Sequence, residues 1–284
     1  MAFDYQSLKQ INATAVTSGT IINSDLASRT IATTNIADGN ITAGLMAGGS
    51  VNYTSGTVTN VMPISKGGTA LSSVGGANTV LRVNSGGNAL EWAQIGPYSM
   101  QVFTSSGTYN KSAGVRFVRV KVVGAGGGGG GHGESGAAGG YAERVLDATG
   151  ISSVSVYVGG GGGGTYYNNA GGNGDYASFG PYVSAGGGHG AIRQANHSGG
   201  VSGVGSGGDL NMHQGGGGGH HHSFGPGGTS YFGGPAPSGH PQGGHFTHNH
   251  QGHAAPGTGG TGGYFSGHRG SDGRPGLVLI EEYK

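Results

Sequence analysis

Two histidine clusters hold most of what this sequence offers to chemistry: His220-His221-His222 and His245-Phe246-Thr247-His248-Asn249-His250-Gln251-Gly252-His253. All 13 histidines fall between His132 and His268, and between Arg193 and Arg269 the single formal charge is Asp209. Imidazole therefore supplies nearly all the chargeable surface of this stretch. Three readings stay open: polar loop residues that hydrogen-bond and stack, direct contact with a sugar or a receptor protein, and metal binding. The spacing His-X-His at His220/His222 and His248/His250 gives the metal reading its content. Imidazole suits Zn, Cu, Fe and Ni, and two such nitrogens from each of three chains would make an octahedral set.

Enzyme signals are weak. Gly203-Val204-Gly205-Ser206-Gly207-Gly208 fits G-x-G-x-x-G, but no helix-forming run follows it, and a glycine-rich chain matches by chance. Asp175, Asp209 and Asp272 stand without the paired carboxylate that glycoside hydrolysis uses. The expectation is no enzyme and no cofactor, apart from the transition metal at the His-X-His pairs.

What must position these residues is glycine. Of 70 glycines, 57 follow residue 100, with runs at 126–131, 159–164 and 215–219. Glycine loses more backbone freedom on folding than any other residue, so such a stretch is disordered or takes a form that glycine alone allows. Alternating strands bracket it. Val118, Val120 and Val122 alternate with Arg119 and Lys121, Val154, Val156 and Val158 alternate with Ser155 and Tyr157, and Tyr141–Leu146 is a further strand. Gln101–Thr104 pairs nearby, with Ser106-Gly107 in a turn. The chain ends on the apolar strand Leu277-Val278-Leu279-Ile280. A disordered tail needs no closing strand, which favours order. Extended threefold helices have no internal hydrogen bonds, but without Cβ atoms several can lie side by side and exchange N–H···O=C bonds, so that every backbone group is satisfied. The residues between the runs then become loops on a rigid glycine core.

Residues 15–62 are rich in Ser, Thr, Asn and Ala, with Ile21, Ile22, Ile31, Ile36 and Ile41 in short extended phrases. One copy cannot bury them, whereas symmetric association can. Val80–Val83, a turn at 84–88 and Leu90–Trp92 read as a hairpin. Residues 1–14 carry Phe3, Tyr5, Leu8 and Ile11, a frayed end or an attachment segment. The chain has no cysteine, a formal net charge of +1 and no 18-residue apolar run. It shows neither a signal-peptide core nor the basic clusters of a nucleic-acid binder. The expected site of synthesis is a cytoplasm.

Lys66-Gly67-Gly68-Thr69-Ala70-Leu71, followed by Val80-Leu81-Arg82-Val83-Asn84-Ser85-Gly86-Gly87-Asn88-Ala89-Leu90-Glu91-Trp92, resembles the shaft module of bacteriophage tail fibres, which form parallel homotrimers. Phe103-Thr104-Ser105-Ser106-Gly107-Thr108-Tyr109 and Pro275–Tyr283 resemble the ends of a phage glycine-rich domain. The glycine runs between them resemble the polyglycine sandwich of distal tail-fibre adhesins of T-even-like phages. The resemblance implies a mainly β protein with very little α-helix: an attachment segment at 1–14, a trimeric intertwined β shaft at 15–98, and a β-framed tip with polyglycine II-like helices at 99–284. It implies a virion location, tail or baseplate partners at the N-terminus, and an outer-membrane protein or polysaccharide as receptor. Matching insertions place the receptor contacts at Tyr166, Tyr167, His220, His221, His222, Phe224, Tyr231, Phe232, His245, Phe246, His248, His250 and His253. Such fibre tips also carry His-X-His iron sites. In those adhesins the tip is a separate chain, whereas here a shaft is fused upstream. A purely structural tail component is the other reading.

Overall fold

The computed structural model describes residues 69, 71, 74–84, 86–131, 133–166, 169–192, 199–217, 225–234, 254–263 and 268–284. Phe3, Tyr5, Leu8, Ile11 and most of the expected shaft lie outside the described residues. Every regular element among the described residues is a strand, as the residue alternation predicts.

Strands β1 (Thr79–Val83) and β2 (Leu90–Gln94) form a two-stranded sheet. Its turn is held by Asn84, whose Oδ1 accepts from the main-chain N–H of Asn88 at 3.2 Å and of Ala89 at 3.3 Å. An Asn side chain that bonds its own turn is what favours this residue type there.

The glycine-rich part is built from β3 (Ser99–Phe103), β4 (Gly107–Asn110), β5 (Phe117–Val123), β6 (Tyr141–Asp147), β7 (Ser153–Val158), β8 (Ala177–Phe179), β9 (Val183–Ala185), β10 (Gly205–Ser206), β11 (Leu210–Met212) and β12 (Leu277–Tyr283). One sheet runs β10-β9-β8-β7-β4 and the other β11-β6-β5-β12-β3, antiparallel throughout. Alternation sends Val118, Val120, Val122, Val154, Val156, Val278 and Ile280 inward, and all are buried with Tyr109 and Phe179. The expected turn at Ser106-Gly107 is different in the structure. Gly107 already belongs to β4 in the opposite sheet, and β3 pairs with β12. Residues 104–106 are thus a crossing between sheets, because β12 occupies the edge on which β3 docks.

Beyond the strands the two sheets merge. Side chains shrink along the inner faces from Phe179 and Val183 to Ala177 and Ala185, and then to glycine. Packed sheets stand about 10 Å apart and paired strands about 4.8 Å apart. Once the Cβ atoms are gone, opposite sheets close to hydrogen-bonding distance: Gly140 N–H donates to Gly186 O at 2.8 Å, and Gly188 N–H to Ala125 O at 2.8 Å.

The string 124–130 shows the resulting order. Its amides donate in a cycle of three. Gly124, Gly127 and Gly130 reach Gly140, Ala137 and Glu134; Ala125 and Gly128 reach Asp175 and Gly172; Gly126 and Gly129 reach Arg274 and Ser271. Its carbonyls accept in the same cycle. Gly188 and Ala191 donate to Ala125 and Gly128, Gly162 and Thr165 to Gly126 and Gly129, and Gly260 and Gly263 to Gly127 and Gly130. Six strings therefore surround this one, three antiparallel that take its N–H groups and three parallel that fill its carbonyls. A period of three is that of an extended threefold helix, where a β-strand would give two. String 134–140 is ringed in the same way, by 124–130, 186–189, 200–203, 215, 225–228 and 257–260. Close approach is the reason for glycine here. A Cβ on Gly126 would fall on the Thr258 carbonyl, and one on Gly136 on the Gly127 carbonyl.

Candidate functional site

String direction sorts the connections. Strings 124–130, 159–165, 186–191, 213–217 and 257–263 run out of the sandwich, and 134–140, 171–175, 199–203, 225–229 and 270–274 run back. The described residues that flank each out-to-back connection therefore lie at one outer end of the glycine lattice. Residues 230–234 and 254–256 lie at the other end, beside the sandwich.

Tyr166 is at the outer end, 46 % exposed, in a turn closed by Thr165 Oγ1–H donating to Asn169 O at 2.8 Å. Beside it the Asp272 carboxylate accepts from Gly164 N–H at 2.6 Å and from Arg269 at 2.7 Å, which ties the ends of two strings together. Tyr231 and Phe232 lie at the sandwich end instead. They form the tip of a tight turn in which Ser230 and Gly233 exchange main-chain bonds of 3.0 and 3.1 Å. The Tyr231 ring stacks on Tyr141 at 3.8 Å, and Phe232 meets it edge-on at 5.4 Å. One face of Tyr231 is thus used internally. The structure does not bring Tyr166 together with Tyr231 and Phe232; a string of about seven residues, about 22 Å at the rise of an extended threefold helix, separates them.

Tyr167, His220, His221, His222, Phe224, His245, Phe246, His248, His250 and His253 lie outside the described residues. The chain that flanks them is described. Gly217 and Gly225, on either side of the first histidine cluster, are at the outer end, whereas Gly234 and Ala254, on either side of the second, are at the sandwich end. Among the described residues no group of three or more His, Cys, Asp or Glu is placed to hold a metal ion.

Two further groups were not legible as chemistry in the sequence. Glu282 is fully buried inside the sandwich. It accepts from Tyr109 O–H at 2.6 Å, from Ser112 N–H at 3.0 Å, from Ser112 Oγ–H at 2.6 Å and from Ser99 Oγ–H. Burial pushes its carboxyl up, but these donors outweigh burial and hold it below the ordinary glutamate value. Burial first and then Glu282 raise the Tyr109 phenol. On the outer face of the second sheet, Glu143 accepts from Arg119 Nε–H at 2.6 Å and from Tyr141 O–H at 2.5 Å. Burial raises Glu143, and those two bonds more than reverse it. The signal for these roles was only the Tyr141-x-Glu143 and Glu281-Glu282 spacing on strands, which does not say which face is closed over.

The described surface offers aromatic faces, amides, hydroxyls and ion pairs, among them Arg119–Glu143, Arg119–Glu281, Lys121–Glu281 and Arg269–Asp272, the means of reversible non-covalent binding. No curated protein matches the chain. A family model, the glycine-rich domain, matches residues 102–283, from β3 through β12. That match spans the sandwich and every string of the lattice, and the chain belongs to the glycine-rich domain family.

Proposed function

We propose that this chain is a homotrimeric phage tail-fibre or tail-tip protein whose glycine-rich part adheres to the host cell surface. The observation that carries the reading is that the described residues flanking the out-to-back connections gather at one end of a cross-bonded lattice. Such a base need not order itself when the residues joined to it bind, which limits the entropic cost. Three copies on one stalk, and many stalks on one particle, turn weak single contacts into avidity. Residues 1–14 then attach the chain to other tail or baseplate proteins. The receptor is an outer-membrane protein or a surface polysaccharide, and no nucleic acid or enzymatic step is involved.

The test is adhesion by the purified full chain. Labelled protein is expected to bind a subset of bacterial strains saturably and to block particle adsorption to the same strains. Replacing 218–224 with a Gly-Ser linker is expected to abolish binding with the melting temperature unchanged. The second reading, a structural tail component, is favoured by the apolar side chains Met100, Val102, Val145 and Leu210 exposed on the outer face of the second sheet. Absence of binding to any strain, with the glycine-rich part inaccessible to antibody in intact particles, supports that reading instead.

A further inference from the structure

String 159–165 is an edge string, and its solvent side is bare. Exposure recurs every third residue, at Tyr157, Gly160, Gly163 and Tyr166, with the intervening residues half-buried or buried. A Cβ on Gly160 would meet nothing, and one on Gly163 would come no closer than 4.0 Å to Asp272 Oδ1. Neither glycine has a φ in the left-handed region. Neither crowding nor backbone strain therefore explains glycine at these two places. Among the described residues, the amides of Gly160 and Gly163 and the carbonyl of Gly161 have no protein partner. The exposed amides recur at an interval of three, with the half-buried Gly161 carbonyl between them.

The neighbouring strings do carry side chains on this side. Asn173 and Tyr176, three apart and both exposed, rise along 171–176, which is bonded to the edge string through Asp175 N–H to Gly160 O at 3.1 Å and Gly172 N–H to Gly163 O at 2.8 Å. On the other flank stands the Arg269–Asp272 ion pair. The result is a shallow trough floored by backbone. At one end Tyr157 and Tyr176 stack at 4.6 Å, with Tyr176 still 53 % exposed, and at the other end stands Tyr166. Tyr166 follows Tyr157 by nine positions, about 28 Å at the rise of an extended threefold helix.

We propose that this trough binds an extended, uncharged glycan. The C–H face of a sugar ring lies on the free face of Tyr176, an amphipathic ring well suited to such contacts. Further hydroxyls donate to the carbonyl of Gly161 and accept from the amides of Gly160 and Gly163. Asn173 Oδ1 already accepts from Gly190 N–H at 3.0 Å, so only its Nδ2 remains to donate to a sugar hydroxyl. The Arg269–Asp272 pair neutralises itself, and on the two flanking strings Asp175 carries a negative and Arg274 a positive charge, so the trough has no net charge with which to select an anionic sugar. Linear repetition of donors and acceptors fits a linear chain of sugars better than a compact ligand.

The inference does not rest on the virion reading, since it concerns soluble sugar and the purified chain. Isothermal titration of the full chain is carried out with gluco-, manno-, galacto- and N-acetylhexosamine oligosaccharides long enough to span the trough, and with polygalacturonate as the anionic comparator. At least one uncharged series is expected to bind, with affinity rising with chain length until the trough is filled. Gly160→Leu and Gly163→Leu, which fill open space, are expected to weaken binding at least about tenfold with a melting temperature no lower than the parent's. Tyr176→Ala is expected to weaken it comparably. The proposal is overturned if no uncharged series binds, if polygalacturonate alone binds, or if Gly163→Leu binds as well as the parent. Self-association that Gly163→Leu abolishes, without sugar binding, also overturns it and assigns the trough to a second copy of the chain.

Discussion

Tyr109 donates its phenolic hydroxyl to Glu282 at 2.6 Å in the closed interior between the two sheets. The carboxylate has no cation beside it among the described residues; hydroxyls and one main-chain amide carry its charge. Tyr109→Phe removes one of the two donors to Oε1 and leaves the shape intact. We expect a loss of about 1–3 kcal/mol, the usual cost of under-satisfying a buried charged acceptor. Urea unfolding of parent and variant measures it, and equal midpoints would show that the bond contributes nothing.

The same group sets an acid limb. Glu282 titrates lower in the folded protein than in the unfolded chain. Its contribution is therefore whole above the unfolded value of about 4.3 and is lost as pH falls through the folded value. Tyr109 and Tyr141 are shifted the other way, Tyr109 by burial and Glu282, and Tyr141 by burial, Glu143 and Tyr231. Their contribution is whole below about pH 10 and is lost as pH rises further. Urea midpoints from pH 7 to 3 are expected to fall less steeply in Glu282→Gln than in the parent. Parallel curves would assign the acid limb to other carboxylates.

A methyl group separates the interior of the lattice from its edge. Gly126→Ala drives a Cβ into the Thr258 carbonyl, and main chain on both sides cannot yield as a side chain would. We expect it to destabilise by about 3 kcal/mol, at the upper end of overpacking. Gly160→Ala enters open space without a left-handed φ, and is expected to stabilise by about 0.4–1 kcal/mol by restricting the unfolded chain. Thermal melts that rank the two variants the other way would refute the threefold packing.

Hydrogen exchange reads the period directly. Gly162 and Thr165 donate inward to Gly126 and Gly129, whereas Gly160 and Gly163 face solvent. Along this string slow and fast amides are expected to recur at intervals of three, with the amides of 126–129 among the slowest in the chain, exchanging only with global opening. An alternation of two would mean an ordinary strand.

The ring pair at the sandwich end tests a local contact. Tyr231→Ala is expected to cost about 0.5–1.5 kcal/mol beyond lost area, from the stack on Tyr141. The intrinsic near-ultraviolet circular dichroism of the stacked tyrosines reports its loss independently. An unchanged spectrum would place the Tyr231 ring elsewhere in solution.

The sequence by itself determined the strands and the material of the core. Val118, Val120 and Val122 alternate with charged residues, and a two-residue period admits one face only, so burial could be read from the letters. A run such as 126–131 likewise announces extended chain, because helix and sheet interiors penalise glycine. What tertiary structure alone decided is which string lies beside which. Glycine has no side chain to mark a face, so nothing in 124–130 says that its amides reach 140, 175 and 274 in turn. Those partners are set by β5, β6, β8 and β12, whose registers depend on residues far away in the chain. The same dependence separated Tyr166 from Tyr231, closed the sandwich over Glu282, and left Gly160 and Gly163 bare at an edge while Gly126 and Gly136 became the centre.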